Sequence, residues 1–507
     1  MTDPVHITLK PLGAVLEVER HAPLQDVLFP YGVEFPCGGR ARCKGCRVRV
    51  IEGALPVTPE QARILSPEEI GAGWRLACHC SAGGDLVLEL AQWEAAILAD
   101  ESNFAFTPRE GLGIAVDVGT TTLVAQLLDL RTGNVLAVRT ALNSQARHGA
   151  DIMSRIGYAV TEGGQAQLVQ AIRSQIGEMA RDLLEAADIA SRTVTDIVLV
   201  GNTVMHHLFS DIPLEPLSHY PFNPARIDMT RFESADLEWT IPGNPPVRFL
   251  PCLGGFVGSD ILAGILATRI YESTQLVGLV DLGTNGEIVI GNRERLLCCS
   301  TAAGPAFEGA RIHRGMRAST GAIAEVHIQN GQMVCHILGN VAPRGICGSG
   351  LVDAVAASLE LGIVGPGGRI AGGAASFMLA PPVALSQTDI RELQLAKGAI
   401  AAGIRILLEE FDAHPGDLTA MYLAGAFGNY VNTSSARRIG LMHFPSDLIK
   451  PAGNTALLGA KIALFNNGDL LARIAGLVRH VPLSSNPQFQ DIYVEEMTFP
   501  ADIQEDN

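Results

Sequence analysis

Apolar and polar residues alternate in two short runs over residues 5–20 (VHITLKPLGAVLEVER), broken at Pro11–Gly13, which predicts a β-hairpin with one half-buried face. A helical turn is predicted over 24–31 and a strand over 85–90 (DLVLEL). From Trp93 to Gly111 the alternation stops and charge, proline and glycine collect, the pattern of a short helix followed by a linker. Beyond it, residues 114–129 and 277–290 each read as two apolar strands joined by a glycine-bearing turn. Leu168, Ile172, Ile176, Met179 and Leu183 recur at helical spacing, as do Ile390, Leu393, Ile400, Ile404, Leu407 and Phe411, predicting two amphipathic helices on the outside of their lobes. Two further helical stretches, 348–361 and 453–465, carry Gly and Ala on their packing faces and are expected to cross closely as a hinge.

Length and charge narrow the class. With 507 residues the chain can bury two or three cores, and 47% hydrophobic residues suit compact α/β packing. The balance of 37 basic against 53 acidic residues argues against nucleic acid or an anionic membrane as the main partner, because the long-range field repels phosphate polymers. No apolar run reaches the ~18 residues of a membrane span, and MTDPVHITLK lacks the order of a signal peptide, so a cytoplasmic location is expected.

Ten cysteines in such a chain point to reduced thiols and metal ligation rather than a disulfide scaffold. Cys37, Cys43 and Cys46 share one glycine-rich loop, and Cys78 returns from a distant segment, WRLACHC. A CxxC pair alone fits zinc or a redox disulfide; three cysteines in a Gly-rich loop plus a distant fourth fit a [2Fe–2S] cluster, whose charge inward-turned amides would spread. Five residues separate Cys37 from Cys43, against the four of the plant-type pattern, so this loop is closer to the adrenodoxin branch. Cys80 is a rival to Cys78 but reads first as a free thiol, and Cys252, Cys298, Cys299, Cys335 and Cys347 have no ligand spacing. Arg40, Arg42, Lys44, Arg47 and Arg49 crowd the loop, either as a solvated face or as a docking patch for an acidic electron donor or acceptor.

The second chemistry lies in the turns. In IAVDVGTTTLVAQLLD the first strand ends at Asp117, and Gly119, Thr120, Thr121 and Thr122 offer amides and hydroxyls to phosphate oxygens while the carboxylate holds a water of Mg²⁺. VGLVDLGTNGEIVI repeats the pattern with Asp281 and the turn Gly283, Thr284, Asn285 and Gly286, which suggests duplicated lobes facing one phosphate chain. In YLAGAFGNYVN, Gly425 and Gly428 would let an adenosine approach the backbone. Glu287 and Glu308 read first as structural residues and only second as carboxylates supporting the site, and Lys397, on a helix, reads first as a solvated charge and second as a nucleotide contact. His206 and His207 diverge by about 100° on a helix, cannot share a metal, and read as packing residues.

Together the two DxGT turns, the LAGAFG element and the small-faced helices resemble the superfamily of acetate and sugar kinases, heat-shock chaperones and actin. With a cysteine-rich domain in front, the chain resembles the reductive activators of corrinoid proteins along nearly its whole length, including IVLVGNTVMHHL, CLGGFVGSD, CSTAAGPAFEGARI and APRGICGSG. The resemblance implies an α/β architecture: a β-grasp ferredoxin-like domain (1–91), a linker (92–112), and a two-lobed actin-like, RNase H-like ATPase with lobe I at 113–270 and lobe II, connecting helix and tail at 271–507. It also implies an ATPase that passes one electron to an inactive Co(II) corrinoid protein or methyltransferase, regenerating Co(I), and a low-potential electron donor. By the same resemblance Cys37, Cys43, Cys46 and Cys78 hold the cluster, the turns at Asp117 and Asp281 bind phosphate, and Gly425 and Gly428 bind adenosine. The extra dimer-contact domain of some relatives is missing here, and no cysteine follows Cys347 for a carboxy-terminal [4Fe–4S] site. Two other functions fit the residues alone: a small-molecule kinase with a redox-sensing ferredoxin domain, and a non-hydrolysing, nucleotide-gated electron carrier.

Overall fold

The alternating amino-terminal run forms a hairpin, strand Val5–Lys10 paired antiparallel to Ala14–Val18, in the computed structural model of the chain. The structure describes residues 4–501 apart from 11–13, 29–30, 32, 34–40, 42–45, 91–103, 105, 150, 188, 190–191, 284, 310, 317, 319–320, 429–430 and 467. Strand Leu86–Leu90 lies parallel to Val5–Lys10, and Arg47–Glu52 and Trp74–Leu76 complete a five-stranded sheet. Val5, Ile7 and Leu9 point to its core with the period of two that the sequence shows, and helix Leu24–Leu28 packs below the turn Ala77–His79.

Two six-stranded sheets follow, built on one plan. In the first, Leu112–Val118, Thr122–Asp129 and Val135–Leu142 form an antiparallel meander, and Val194–Val200 adds parallel to Leu112–Val118. In the second, Leu276–Leu282, Gly286–Gly291 and Leu296–Thr301 form the meander, and Leu418–Ala424 adds parallel to Leu276–Leu282. The matched topology puts the turns after Val118 and Leu282 at equivalent ends of their sheets. Among the described residues no helix is long and apolar enough to cross a membrane.

Helix Gln165–Ala186 buries Leu168, Ile172, Ile176, Met179 and Leu183 as expected. Helix Gln387–Glu410 departs from its expected solvent face: Lys397 is fully buried, because helix Phe489–Glu496 and the segment after it cover the outer side. Its Nζ donates to the carbonyls of Thr498 (2.8 Å) and Gly440 (3.4 Å), and burial pulls its pKa down to about 8. Lys397 is a structural tie of lobe II, not a solvated charge. The hinge also differs from expectation. Helix Gly348–Glu360 packs inside lobe II against strand Ala322–Gln329, whereas Thr455–Leu464 crosses Ser259–Thr268. At that crossing a Cβ on Gly459 would fall 2.0 Å from the Ala263 carbonyl oxygen, so only glycine permits the approach.

Candidate active site

The first turn is tight because Gly119 has no side chain: a Cβ there would sit 2.4 Å from the Thr122 carbonyl oxygen. Its carbonyls are satisfied from behind. Asn143 donates from Nδ2 to Gly119 (2.9 Å) and from its amide to Thr121 (2.9 Å), and Arg155 Nη2 donates to Thr120 (2.6 Å). Asn202 Nδ2 holds the Thr120 hydroxyl at 2.9 Å. The amides of Gly119, Thr120 and Thr121 donate to no described residue, which leaves them for an anion. Thr122 opens the next strand with an exposed side chain.

Arg155 is fully buried on helix Ile152–Thr161 and pairs with no carboxylate among the described ion pairs. Its fork is fixed by Gly149 (Nε, 3.0 Å), Gln145 (Nη1, 3.1 Å) and Thr120, and burial pulls its pKa down to about 10. Asp151 offsets the cost of burying this cation only in part, so its position directly behind the turn favours a negatively charged ligand in front.

The second turn and the glycine element meet. Asp281 faces Glu287 across the pair Leu276–Leu282 and Gly286–Gly291, and Gly283 donates its amide to Asn285 O (3.0 Å). Thr284 lies outside the described residues. Gly286 lies where a Cβ would come 2.8 Å from Thr301 Oγ1. Gly425, with φ +85°, lies so close to Asp281 that a Cβ would be 2.6 Å from its Oδ1. Gly428 ends the single turn Gly425–Gly428, its own Cβ position 3.0 Å from Leu423.

Four carboxylates gather between the lobes. Burial pushes Asp117 up to about 6, against the hydrogen bond from Asn454 Nδ2 (2.9 Å). Burial and then the charge of Asp117 push Asp281 up to about 7; burial and then Asp281 push Asp260 up to about 8; and burial, Asp260 and Asp281 hold Glu287 well above the usual range. Such mutual repulsion calls for a cation. Among the described residues no three His, Cys, Asp or Glu side chains are spaced to chelate one directly. The Glu308 side chain lies outside the described residues.

At the other end of the chain, Cys46 and Cys78 are buried with their sulfurs 3.3 Å apart, Cys78 carried by the turn Ala77–His79. Cys37 and Cys43 lie outside the described residues. Two apposed thiols at the mouth of a glycine-rich loop fit an iron–sulfur cluster. Cys80 points elsewhere: Gln61 Nε2 holds its sulfur at 3.5 Å and burial pushes its thiol up to about 12. Of the five residues of the expected basic patch, Arg47 and Arg49 are engaged within the domain. Arg47 pairs with Glu69 (2.7 Å), Arg49 pairs with Glu89, and both lie over the Trp74 ring. Arg40, Arg42 and Lys44 lie outside the described residues. The domain rests on lobe II through Gln25 Nε2 to Ala318 O (3.0 Å) and Asp26 to Arg344 (3.4 Å), with Ala77–His79 beside Leu338–Asn340.

His206 and His207 are both fully buried, their rings 5.6 Å apart; His207 Nδ1 lies 2.8 Å from Thr203 O and His206 stands edge-on to Phe249. They pack the interior of the lobe. Sequence reasoning passed over Asp260, Arg155, Asn143, Asn202 and Asn454. A repeat was there to find: Gly-Asn-Thr occurs at 201–203 and at 453–455, each time between a strand and a helix.

Comparison with known proteins adds to this geometry. Residues 7–83 match the model of the 2Fe-2S iron-sulfur cluster binding domain, 112–273 that of the RACo middle region, and 275–506 that of the C-terminal domain of RACo, the ASKHA domain. The chain is 33% identical over 418 residues to the corrinoid activation enzyme RamQ of Eubacterium limosum, covering 76% of this chain and 70% of that one. It is 26% identical over 423 residues to the [Co(II) methylated amine-specific corrinoid protein] reductase of Methanosarcina barkeri, covering 76% and 77%. A solved structure, "Reductive activator for corrinoid,iron-sulfur protein", superposes with a TM-score of 0.67 at 27% identity over 98% of each chain.

Proposed function

Because this chain belongs to the family of reductive activators of corrinoid proteins, we propose that it uses ATP to drive one electron from its iron–sulfur domain onto an inactive Co(II) corrinoid protein, regenerating Co(I). The phosphates of ATP lie on the turn Gly119–Thr122, through the unclaimed amides of its first three residues, and against the turn Gly283–Gly286, and the adenosine lies beside Gly425 and Gly428. Asp117 and Asp281 orient Mg²⁺ or the attacking water, with Asp260 and Glu287 behind them. Cys37, Cys43, Cys46 and Cys78 hold the [2Fe–2S] cluster, which supplies the single electron when present. The same reading puts the domain boundaries at 91/92, 112/113 and 270/271, takes a low-potential protein as electron donor, and places the reaction in the cytoplasm.

Coupling to ATP has a physical reason. The Co(II)/Co(I) couple is harder to reduce than a plant-type ferredoxin at roughly −400 mV, and each 100 mV uphill costs about 2.3 kcal/mol per electron. A nucleotide offsets this only by binding two conformations unequally. The observation that carries the proposal is the pair of half-buried carboxylates Asp117 and Asp281 at equivalent turns, the first turn with unclaimed amides, in one chain with the apposed thiols of Cys46 and Cys78. Its test is ATP hydrolysis by the reduced protein with and without a Co(II) corrinoid protein, alongside the Co(I) absorbance band. Stimulated hydrolysis and a band requiring both ATP and the cluster are expected. Steady phosphorylation of acids or sugars with no band would make the protein a kinase instead.

A second expectation concerns Arg155. Arg155→Met strips the Thr120 carbonyl of its donor and the turn of its only adjoining buried cation among the described residues. Loss of about 2–4 kcal/mol in stability and about 10²-fold in nucleotide affinity is expected, read by denaturant unfolding and by titration with a fluorescent ATP analogue. Arg155→Lys should recover part of the affinity, because it keeps the charge but not the fork. Unchanged binding in Arg155→Met would remove the residue from the clamp.

A further inference from the structure

Helix Thr455–Leu464 touches the nucleotide site at one end and the tether of the iron–sulfur domain at the other. At its start Asn454 uses both ends of its amide: Oδ1 accepts the Leu457 amide at 2.8 Å, capping the helix, and Nδ2 donates to Asp117 Oδ2 at 2.9 Å. Midway, the helix meets Ser259–Thr268 backbone to backbone, since a Cβ on Gly459 would fall 2.0 Å from Ala263 O. At its end the Phe465 ring lies 4.5 Å from Phe106 and 5.6 Å from Phe104, centroid to centroid, and Arg109 donates to the Leu464 carbonyl. Phe104, Phe106 and Arg109 all belong to the 92–112 stretch that joins the iron–sulfur domain to the lobes.

The other Gly-Asn-Thr provides the contrast. Asn202 caps Thr203–Ser210 through the Met205 amide (3.0 Å) and donates to the Thr120 hydroxyl (2.9 Å). That helix ends inside lobe I on buried Leu208 and Phe209, so its cap reaches nothing beyond the lobe. Of the two caps, only that at 454 sits on an element whose far end grips the tether, which is held as well at the end of strand Thr122–Asp129 by Arg109 N donating to Leu130 O (3.0 Å).

We propose that helix Thr455–Leu464 is the transmission element between the phosphate clamp and the iron–sulfur domain, with Asn454 as a positioning residue at its input and the Phe465–Phe106–Phe104 cluster as its output. The inference rests on the nucleotide placement proposed above. Nucleotide at the clamp competes with Asn454 for Asp117. A helix pinned by a side-chain-free crossing cannot absorb the change by rotamer adjustment, so it turns as a unit and loosens the aromatic grip. The tether is then loosened at Phe104 and Phe106 when ATP binds, while its backbone bond from Arg109 to Leu130 remains.

The test uses the full-length reconstituted protein, Mg²⁺ with adenylyl imidodiphosphate as the probe, and two readouts: binding by titration, and the rate of tryptic cleavage after Arg109. In the wild type the nucleotide is expected to accelerate cleavage by about fivefold or more. Phe465→Ala, and Phe106→Ala, which leaves the helix intact, should bind nucleotide within about twofold of the wild type yet cleave at one rate with or without it. Asn454→Ser keeps a cap but is too short to reach Asp117, and should lose the acceleration too. Normal acceleration in both phenylalanine variants, or wild-type binding with no change in cleavage, overturns the inference while the nucleotide site stands. A wild type that binds no nucleotide overturns the site reading and the inference together.

Discussion

Cys78→Ser should yield a protein that binds nucleotide normally but cannot form Co(I). Cys78 sits buried in a turn of the five-stranded sheet, its sulfur 3.3 Å from that of Cys46, while the phosphate clamp is built entirely from the two six-stranded sheets and their helices. A hydroxyl is a poor substitute for a thiolate on iron, so the visible absorbance of the reconstituted cluster should vanish together with the Co(I) band. Cys80→Ser is the matched control. Its thiol is neutral, buried and tied to Gln61, so both signals should persist. The reverse outcome, colour kept in Cys78→Ser and lost in Cys80→Ser, would move the fourth ligand two residues along the chain.

Asp281→Asn should abolish nucleotide-dependent activity and at the same time stabilise the protein without nucleotide. Asp117, Asp281 and Asp260 have folded-state pKa values pushed to about 6, 7 and 8 by burial, with the charge of Asp117 added at Asp281 and those of Asp281 and Asp117 added at Asp260, against 3.8 for an unperturbed aspartate. Between these limits the native state holds protons that the unfolded chain has released. Stability from this cluster is therefore complete below about pH 4 and is lost progressively as pH rises through the folded-state values, up to about pH 8. Mg²⁺ with nucleotide should restore it, raising the melting temperature more at pH 8 than at pH 6. The Asp281→Asn substitution removes one charge from the group, so it should flatten the pH dependence of melting and lower ATP turnover by about 10²–10³-fold through loss of fixed charge at the phosphates. A variant that melts lower than the wild type at pH 8, with the same pH slope, would show that the carboxylates do not repel one another.

Local pattern carried much of the fold. The alternation at Val5, Ile7 and Leu9, the two DxG turns and the period of Leu168 through Leu183 are each decided by neighbours in sequence, and each appears where expected. What stayed hidden depends on which element covers which. Lys397 looks like a solvent residue because nothing nearby in sequence shows that Phe489–Glu496 closes over its helix. Small faces mark both Gly348–Glu360 and Thr455–Leu464 as close-packing helices, but not the partner of either; Ser259–Thr268, which carries Asp260, supplies the real crossing. The asparagines were illegible for a related reason. An N-cap can be predicted from its own helix, but the second hydrogen bond of its amide, to Asp117 or Thr120, spans hundreds or tens of residues.

Among the described residues, the seat of the iron–sulfur domain on lobe II includes an amide-to-carbonyl bond at Gln25, the approach of Ala77–His79 to Leu338–Asn340, and an ion pair at Asp26, whose partner Arg344 is mostly exposed. Exposed pairs of this kind contribute about 0–1 kcal/mol and weaken further with salt. Rising ionic strength is therefore expected to weaken this ion pair first, which makes salt a lever on how firmly the amino-terminal domain sits on lobe II.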